Sequence, residues 1–249
     1  MKTINTLLFL ACITLATSCS KDSEDEFKET NGNDVKKKYL TSIKVIDDSN
    51  LDEGINTTFS YDADGKLNTV SDEDGSVVFK YSTSGKLETI AGNDTDDNIS
   101  ISEFYQAPYN AFEIGQVTEY DKNGNPTKIR VYDGEDNGES IFYDGEITYD
   151  SNPNFFFYTL EAGGILEVLD RVDLNFSLVP TNQALTKAKA LIPYNNPTSM
   201  IFKDASTGTV SFTSQVKYTY DEDKYPILAK TVIVNSDEIS NATLNYSYK

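Results

Sequence analysis

The stretch Phe59-Ser60-Tyr61-Asp62-Ala63-Asp64-Gly65-Lys66-Leu67-Asn68-Thr69-Val70 constrains this chain more than any other. It reads as an aromatic strand end, a polar turn and an aliphatic return strand. Twenty residues on it recurs as Phe79-Lys80-Tyr81-Ser82 through Gly85-Lys86-Leu87 to Ile90. It returns as Tyr120-Asp121 through Gly124-Asn125-Pro126 to Ile129, and in degraded form as Tyr220-Asp221 through Lys224-Tyr225-Pro226. Tyr149-Asp150-Ser151-Asn152-Pro153 reads as a further copy cut short. Such a chain is a series of β-hairpins.

Each turn has a physical logic. Asp62 stands at the first turn position, where its carboxylate can accept from backbone N–H groups, and Gly65 at the fourth, where a type I turn followed by a bulge needs positive φ. Ser82 with Gly85, and Asp121 with Gly124, repeat the arrangement. A three-residue loop pairs Asp62 with Lys66 and sets Tyr61 opposite Leu67, Tyr81 opposite Leu87 and Tyr120 opposite Pro126. Proline is tolerated there because the N–H groups of that pair point out of the hairpin. Leu67 and Val70 lie three apart, so either a bulge intervenes or both sheet faces are covered.

The N-terminus adds an address. Residues 1–18 read as a secretory signal, with Lys2 ahead of an apolar run from Ile4 to Ala16. Leu15-Ala16-Thr17-Ser18-Cys19 resembles the bacterial lipobox, which implies a diacylated Cys19 and an outer-membrane anchor; an ordinary signal with an incidental cysteine is the alternative. Residues 19–38 are expected to be a flexible acidic tether and 39–249 a single domain. The acidic run from Lys21 to Glu26 resembles export signals of Bacteroidetes surface lipoproteins, implying the cell surface, with the periplasmic face as the alternative. Cys12 leaves with the signal, and the chain has no other cysteine besides Cys19, so no disulfide is expected. Losing Lys2 leaves 20 basic against 40 acidic side chains, which argues against nucleic acid as a partner.

Short alternating segments continue along the chain, from Tyr39–Val45 to Ala242–Tyr248. The fold class expected is all-β: an antiparallel meander of hairpins forming a large curved sheet or a partly closed barrel-like shell. Residues 151–202 break the rhythm and should supply one or two short helices. Leu160–Val172 is one candidate, weakened by Gly163-Gly164, and Asn182–Leu191 is the better helix former.

The Tyr-Asp-x-x-Gly-x-Leu pattern resembles the tyrosine-aspartate repeats of bacterial shell-forming surface proteins. Together with the lipobox, Asn152-Pro153, Asn195-Asn196-Pro197-Thr198 and Tyr220–Pro226, it makes the chain more closely similar to a family of Bacteroidetes lipoproteins of unknown function, described as having a porin-like β fold. The resemblance covers most of the mature chain and brings no activity. Lys224 departs from it, standing where the other turns have glycine.

Histidine is absent, which removes Ser-His triads and histidine metal sites. No glycine-rich phosphate loop occurs. Asp62 with Asp64, and Asp72 with Asp74, are weak calcium candidates without the distal glutamate of a complete loop, so no cofactor beyond the lipid is expected. Tyr61, Tyr81, Tyr120 and Tyr220 hold equivalent positions and are expected to line one face toward a ligand, with Phe155–Tyr158 closing or filling it. The function expected is a binding or scaffold module for a glycan, peptide or outer-membrane partner, and not an enzyme. A carboxylate-dependent hydrolase acting on polysaccharide is the alternative, and an integral outer-membrane barrel ranks third.

Overall fold

The computed structural model describes residues 22–92, 98–105, 115–136, 139–175, 185–235 and 238–249. In chain order the main strands are β1 (Leu40–Asp47), β2 (Asn50–Tyr61), β3 (Leu67–Ser71), β4 (Ser76–Tyr81), β5 (Leu87–Ala91), β6 (Ile99–Ser100), β7 (Gly115–Tyr120), β8 (Pro126–Asp136) and β9 (Glu139–Pro153). A small ribbon, β10 (Asp173–Asn175) with β11 (Leu185–Lys187), precedes β12 (Asn195–Asp204), β13 (Val210–Tyr220), β14 (Pro226–Asn235) and β15 (Ile239–Tyr248). Short helices are α1 (Ser23–Asn31), α2 (Ile101–Phe104), α3 (Phe157–Ala162) and α4 (Ile165–Arg171).

Thirteen strands make one antiparallel sheet in the order β6-β5-β4-β3-β2-β1-β15-β14-β13-β12-β9-β8-β7. The first and last strands pair in its middle, while β6 and β7 form its two edges. The sheet is therefore open and no barrel closes. Its convex face carries cross-strand ion pairs, Arg130 to Asp144 at 2.7 Å, Lys128 to Glu119 at 2.7 Å and Lys203 to Glu146 at 3.2 Å. A lipid-facing barrel wall would need apolar side chains there.

The repeat explains most of this sheet. Tyr61 pairs with Leu67, Tyr81 with Leu87, Tyr120 with Pro126 and Tyr220 with Pro226. The turn glycines Gly65, Gly85 and Gly124 have φ of 82°, 83° and 84°, and Lys224 takes the same left-handed conformation at 67°. Asp62 Oδ1 accepts from the N–H groups of Asp64 and Lys66, both at 2.9 Å, and Asp121 Oδ1 does the same for Asn123 and Asn125. In each hairpin one residue after the Leu or Pro is extra: Ser60 pairs with Thr69 while Tyr61 pairs with Leu67, leaving Asn68 unpaired. Glu88, Thr127 and Ile227 stand in the same place. That bulge puts Leu67 and Val70 on one face, which settles the three-residue spacing.

Two further hairpins were disguised. Tyr149 pairs with Pro197, and the Asn196 N–H donates to Asp150 Oδ1 at 3.1 Å, as Asn125 does to Asp121 at 2.9 Å. The copy at Tyr149-Asp150 is thus complete, with residues 151–195 inserted in its turn. Tyr248 pairs with Leu40, and Lys249 N–H donates to Tyr39 O at 3.0 Å, so the turn of the last copy is replaced by the two ends of the sheet.

A bulge frees the carbonyl before it, and tyrosines of the neighbouring hairpins take these up. Tyr61 donates to Leu40 O at 2.8 Å, Tyr81 to Leu67 O at 2.5 Å, Tyr149 to Pro126 O at 2.7 Å, Tyr218 to Pro197 O at 3.0 Å and Tyr248 to Pro226 O at 2.7 Å. Each such bond contributes about 1 kcal/mol net and ties one hairpin to the next. Burial pushes the Tyr61 and Tyr81 phenols up to about 12, and raises Tyr149, Tyr218 and Tyr248 as well. Above the ordinary phenol range near 10 the unfolded chain loses these protons first. The contribution is therefore whole at neutral pH and falls as pH rises from about 10 to about 12. Urea midpoints should be level to about pH 9 and drop steeply beyond about 10; a level profile to pH 12 would remove the ladder from the stability account.

Curvature follows from one short helix. At its start, Asp22 and Ser23 share a groove with Gly65 and Gly85, and near its end Thr30 Oγ1 lies 3.5 Å from Asn123 O. Of the turns beside its two ends, those of β4 and β8 lie nine strand steps apart, about 43 Å in a flat sheet. A nine-residue helix spans only about 13 Å. The turn end of the sheet is gathered into a bowl.

Three expectations are corrected here. Residues 22–38 are not a free tether: α1 is capped by Asp22, and Phe27, fully buried, stacks on Phe157 with centroids 3.9 Å apart. Lys38 bridges to Asp221 at 2.6 Å and Asp223 at 2.8 Å, so the folded unit begins before residue 39. The described part of 182–191 is no α-helix, since Leu185–Lys187 pairs with Asp173–Asn175 and Ala188–Leu191 is a 3-10 turn. Tertiary pairing overrides its helix propensity. The 160–172 segment is helical but broken into α3 and α4 at Gly163-Gly164, where Gly164 has φ of 71°. Cys19, its lipobox and the turn at Asn93–Asp97 lie outside the described residues.

Candidate functional site

The inserted segment roofs half of the concave face. Phe157 and Tyr158 are buried, packing with Phe27, Leu166 and Tyr225, while Phe155 and Phe156 rest on Tyr246 and Phe59. All four rings of the run thus fill the interior, and none forms an open platform. Val168, Val172 and Ala188 pack on Leu40, Leu67, Phe79 and Leu87 of the sheet.

The four repeat tyrosines are not the ligand-facing row expected. The Tyr61 hydroxyl serves Leu40 O and stands 3.2 Å from Thr159 Oγ1 beneath α3, and that of Tyr81 serves Leu67 O. Tyr220 donates to Asp150 Oδ2. Tyr120 alone of the four is well exposed, at 44 %, because β7 is a sheet edge. Equivalent places in the repeat have unequal surroundings. Of the calcium candidates, Asp62 and Asp72 each give one carboxylate oxygen to two turn N–H groups. Among the described residues no three acidic or cysteine side chains converge as a metal site would require.

Beyond the roof, no described element covers the concave face. Alternation puts Met200 and Phe202 of β12, Phe212 of β13, Ile233 of β14, Ile147 of β9 and Ile129 of β8 on this face, all half-buried. None of these six packs against the two core clusters. The Phe202 and Phe212 rings meet edge to face at 5.8 Å. Gly145 makes room for Phe202, since a Cβ there would lie 2.7 Å from Phe202 Cε1. The same face of β14, β15 and β1 continues with Thr231, Ala242, Leu244 and Val45, and Ile55 beside them is 51 % exposed. Between roof and hairpin tips, the described inner positions of these strands hold no acidic or basic side chain. The result is a trough of aliphatic and aromatic side chains, without a carboxylate pair for hydrolysis.

Sequence reasoning missed this trough while naming its strands. The signal was there in Met200-x-Phe202 and Phe212-x-Ser214-x-Val216, a period of two with apolar residues on one face. What it lacked was the knowledge that the roof stops short.

No family model matches the sequence, and no curated protein matches it either. Among solved structures, a porin-like protein from Bacteroides vulgatus is 12% identical, covers 86% of this chain and 99% of its own, and superposes with a TM-score of 0.44. A porin-like protein from Bacteroides uniformis is 12% identical over 84% of this chain and 96% of its own, with a TM-score of 0.36. A domain assigned to outer membrane lipoprotein sorting from Vibrio parahaemolyticus, also 12% identical, covers 91% of this chain and 89% of its own, with a TM-score of 0.30. Identities and scores this low carry no function across.

Proposed function

We propose that this chain is a non-catalytic binding module, anchored to the outer membrane through a lipid on Cys19 and displayed at the cell surface, whose trough holds a ligand with an apolar body. One observation carries the reading: among the described residues, a half-roofed sheet leaves an uncharged, half-buried apolar face uncovered where a closed core would bury it. Exposed apolar surface of this kind marks a binding site more often than a packing defect. It favours an apolar ligand over the glycan foreseen from the sequence, because sugars need hydrogen-bonding side chains that the trough floor lacks. The anchor reading rests on Ser18-Cys19, and Cys19→Ala should move the protein out of the membrane fraction.

The test is displacement of a neutral apolar dye such as phenylnaphthylamine from residues 20–249. Wild type should bind it, and Phe212→Asp or Ile233→Asp should weaken binding at least about tenfold, the effect of burying one unpaired charge in an apolar site. Unchanged dye binding in both variants, or none in wild type alongside a positive glycan array, would overturn the assignment.

A further inference from the structure

The mouth of the trough has a chemical bias that its floor lacks. The hairpin tips at that end carry Asp47 at the end of β1, Asp204 at the end of β12 and Glu238 between β14 and β15. Among the described tip residues 47–49, 204–209, 235 and 238 there is no lysine or arginine. Asp204 pairs with Tyr143 at the end of the inner row, one register step beyond the Phe202 and Phe212 rings. Glu238 donates its N–H to Asn235 Oδ1, and Asn235 lies opposite Phe212. Asp47 lies opposite Ala242 on the inner face of β15.

Asp204 and Asp47 stay ionised at neutral pH. Hydrogen bonds from Ser206 and Thr207 hold Asp204 down to about 2, and the Ser49 hydroxyl and N–H hold Asp47 below the usual carboxylate range. Their first task is to build the tips, since Asp204 Oδ1 accepts from the N–H groups of Ser206 and Thr207 at 2.9 and 2.7 Å. Charge set there for a structural reason still acts on whatever enters. The nearest described lysine on β12, Lys203, points to the convex side and bridges to Glu146.

Resting on the trough reading, we propose that the occupant is a cationic amphiphile, its hydrocarbon chain lying along Met200, Phe202, Phe212 and Ile233 and its positively charged head at the mouth toward Asp204 and Glu238, with Asp47 further along the same acidic rim. An apolar floor with an acidic rim matches such a molecule part for part. It excludes amphiphiles with carboxylate or phosphate heads, which would meet like charge at the point of entry. It also disfavours an extended peptide, because the strands of the floor already spend their backbone groups on one another and offer none to a new chain.

The experiment displaces the dye from residues 20–249 with three ligands of one chain length, decyltrimethylammonium, decanol and decanoate, all below their micelle concentrations. At low ionic strength the cation should bind at least about tenfold more tightly than the alcohol, and decanoate more weakly than either, with the spread shrinking at 0.5 M salt as screening sets in. Asp204→Asn with Glu238→Gln should remove most of the cation's advantage and leave decanol unchanged; Asn keeps the oxygen that caps the tip. If the three ligands bind equally, the trough stands and the head-group inference falls. If none displaces the dye, the trough reading itself fails. Tighter binding of a basic amphipathic peptide than of the amine would replace the lipid-like occupant with a peptide.

Discussion

Truncating Phe27 to alanine should cost about 3–5 kcal/mol of stability, the range seen when a large aromatic leaves a packed interior. The result would be unexpected from composition, because Phe27 is the one aromatic residue in a stretch of polar and charged side chains between Cys19 and Tyr39. Its ring lies flat on Phe157, edge-on to Tyr158 at 5.3 Å and to Tyr194 at 6.2 Å. Removing it leaves a cavity beneath α1 that the surrounding rings, stiff and mutually wedged, can fill only in part. The measurement is a urea melt of residues 20–249, joined to hydrogen exchange at the amides of α1. A loss under about 1 kcal/mol would mean that α1 is held by its ion pairs, such as Lys37 to Glu24 and Lys189 to Glu26, both near 2.7 Å.

Asn195→Ala should be nearly as damaging, by about 3 kcal/mol or more, for the opposite reason. Asn195 is 1 % exposed, and its amide reaches four groups at once. It accepts from Asn123 at 3.1 Å and Asn125 at 2.8 Å, and it donates to Asn31 Oδ1 and Asn152 O, both at 3.0 Å. These partners belong to the third hairpin turn, the end of α1 and the start of the inserted segment. Alanine would strand several of them out of reach of water, at about 1–3 kcal/mol each. An Asn195→Ala chain with an unchanged urea midpoint would show that solvent replaces the amide, and the cluster would then count as wet.

The hairpins were legible because a turn is a local object. Asp62, Gly65 and the Tyr61–Leu67 pair are fixed by residues within seven positions, and the pattern carries over to Gly85 and Gly124. What escaped was set at a distance. Asn196-Pro197 completes the turn opened by Tyr149-Asp150, yet an insertion stands between them, so the repeat could not be seen as one. Leu185–Lys187 joins a ribbon with Asp173–Asn175 although its own composition favours a helix. Nothing in the spacing of Tyr61, Tyr81, Tyr120 and Tyr220 says which would face a neighbouring carbonyl, a carboxylate or solvent, because that depends on the strand across the sheet. The trough was half legible: its alternation is plain in β12 and β13, but the edge of the roof is a property of the packed whole.

The two interrupted hairpins have a consequence for how such a protein can change. In one, the chain enters and leaves the sheet at Tyr39 and Lys249; in the other, an insertion leaves at Asp150 and returns at Asn196. Both breaks fall at a turn, and in both the strand pair below, with its bulge, is intact. Turns are the attachment points of this sheet, places where a length of chain can be hung without disturbing a single rung. One carries the N-terminal segment with α1 and another carries the roof. The remaining four are short, and any of them could accept a loop that reshapes the roofed end while the hairpins hold the same ground.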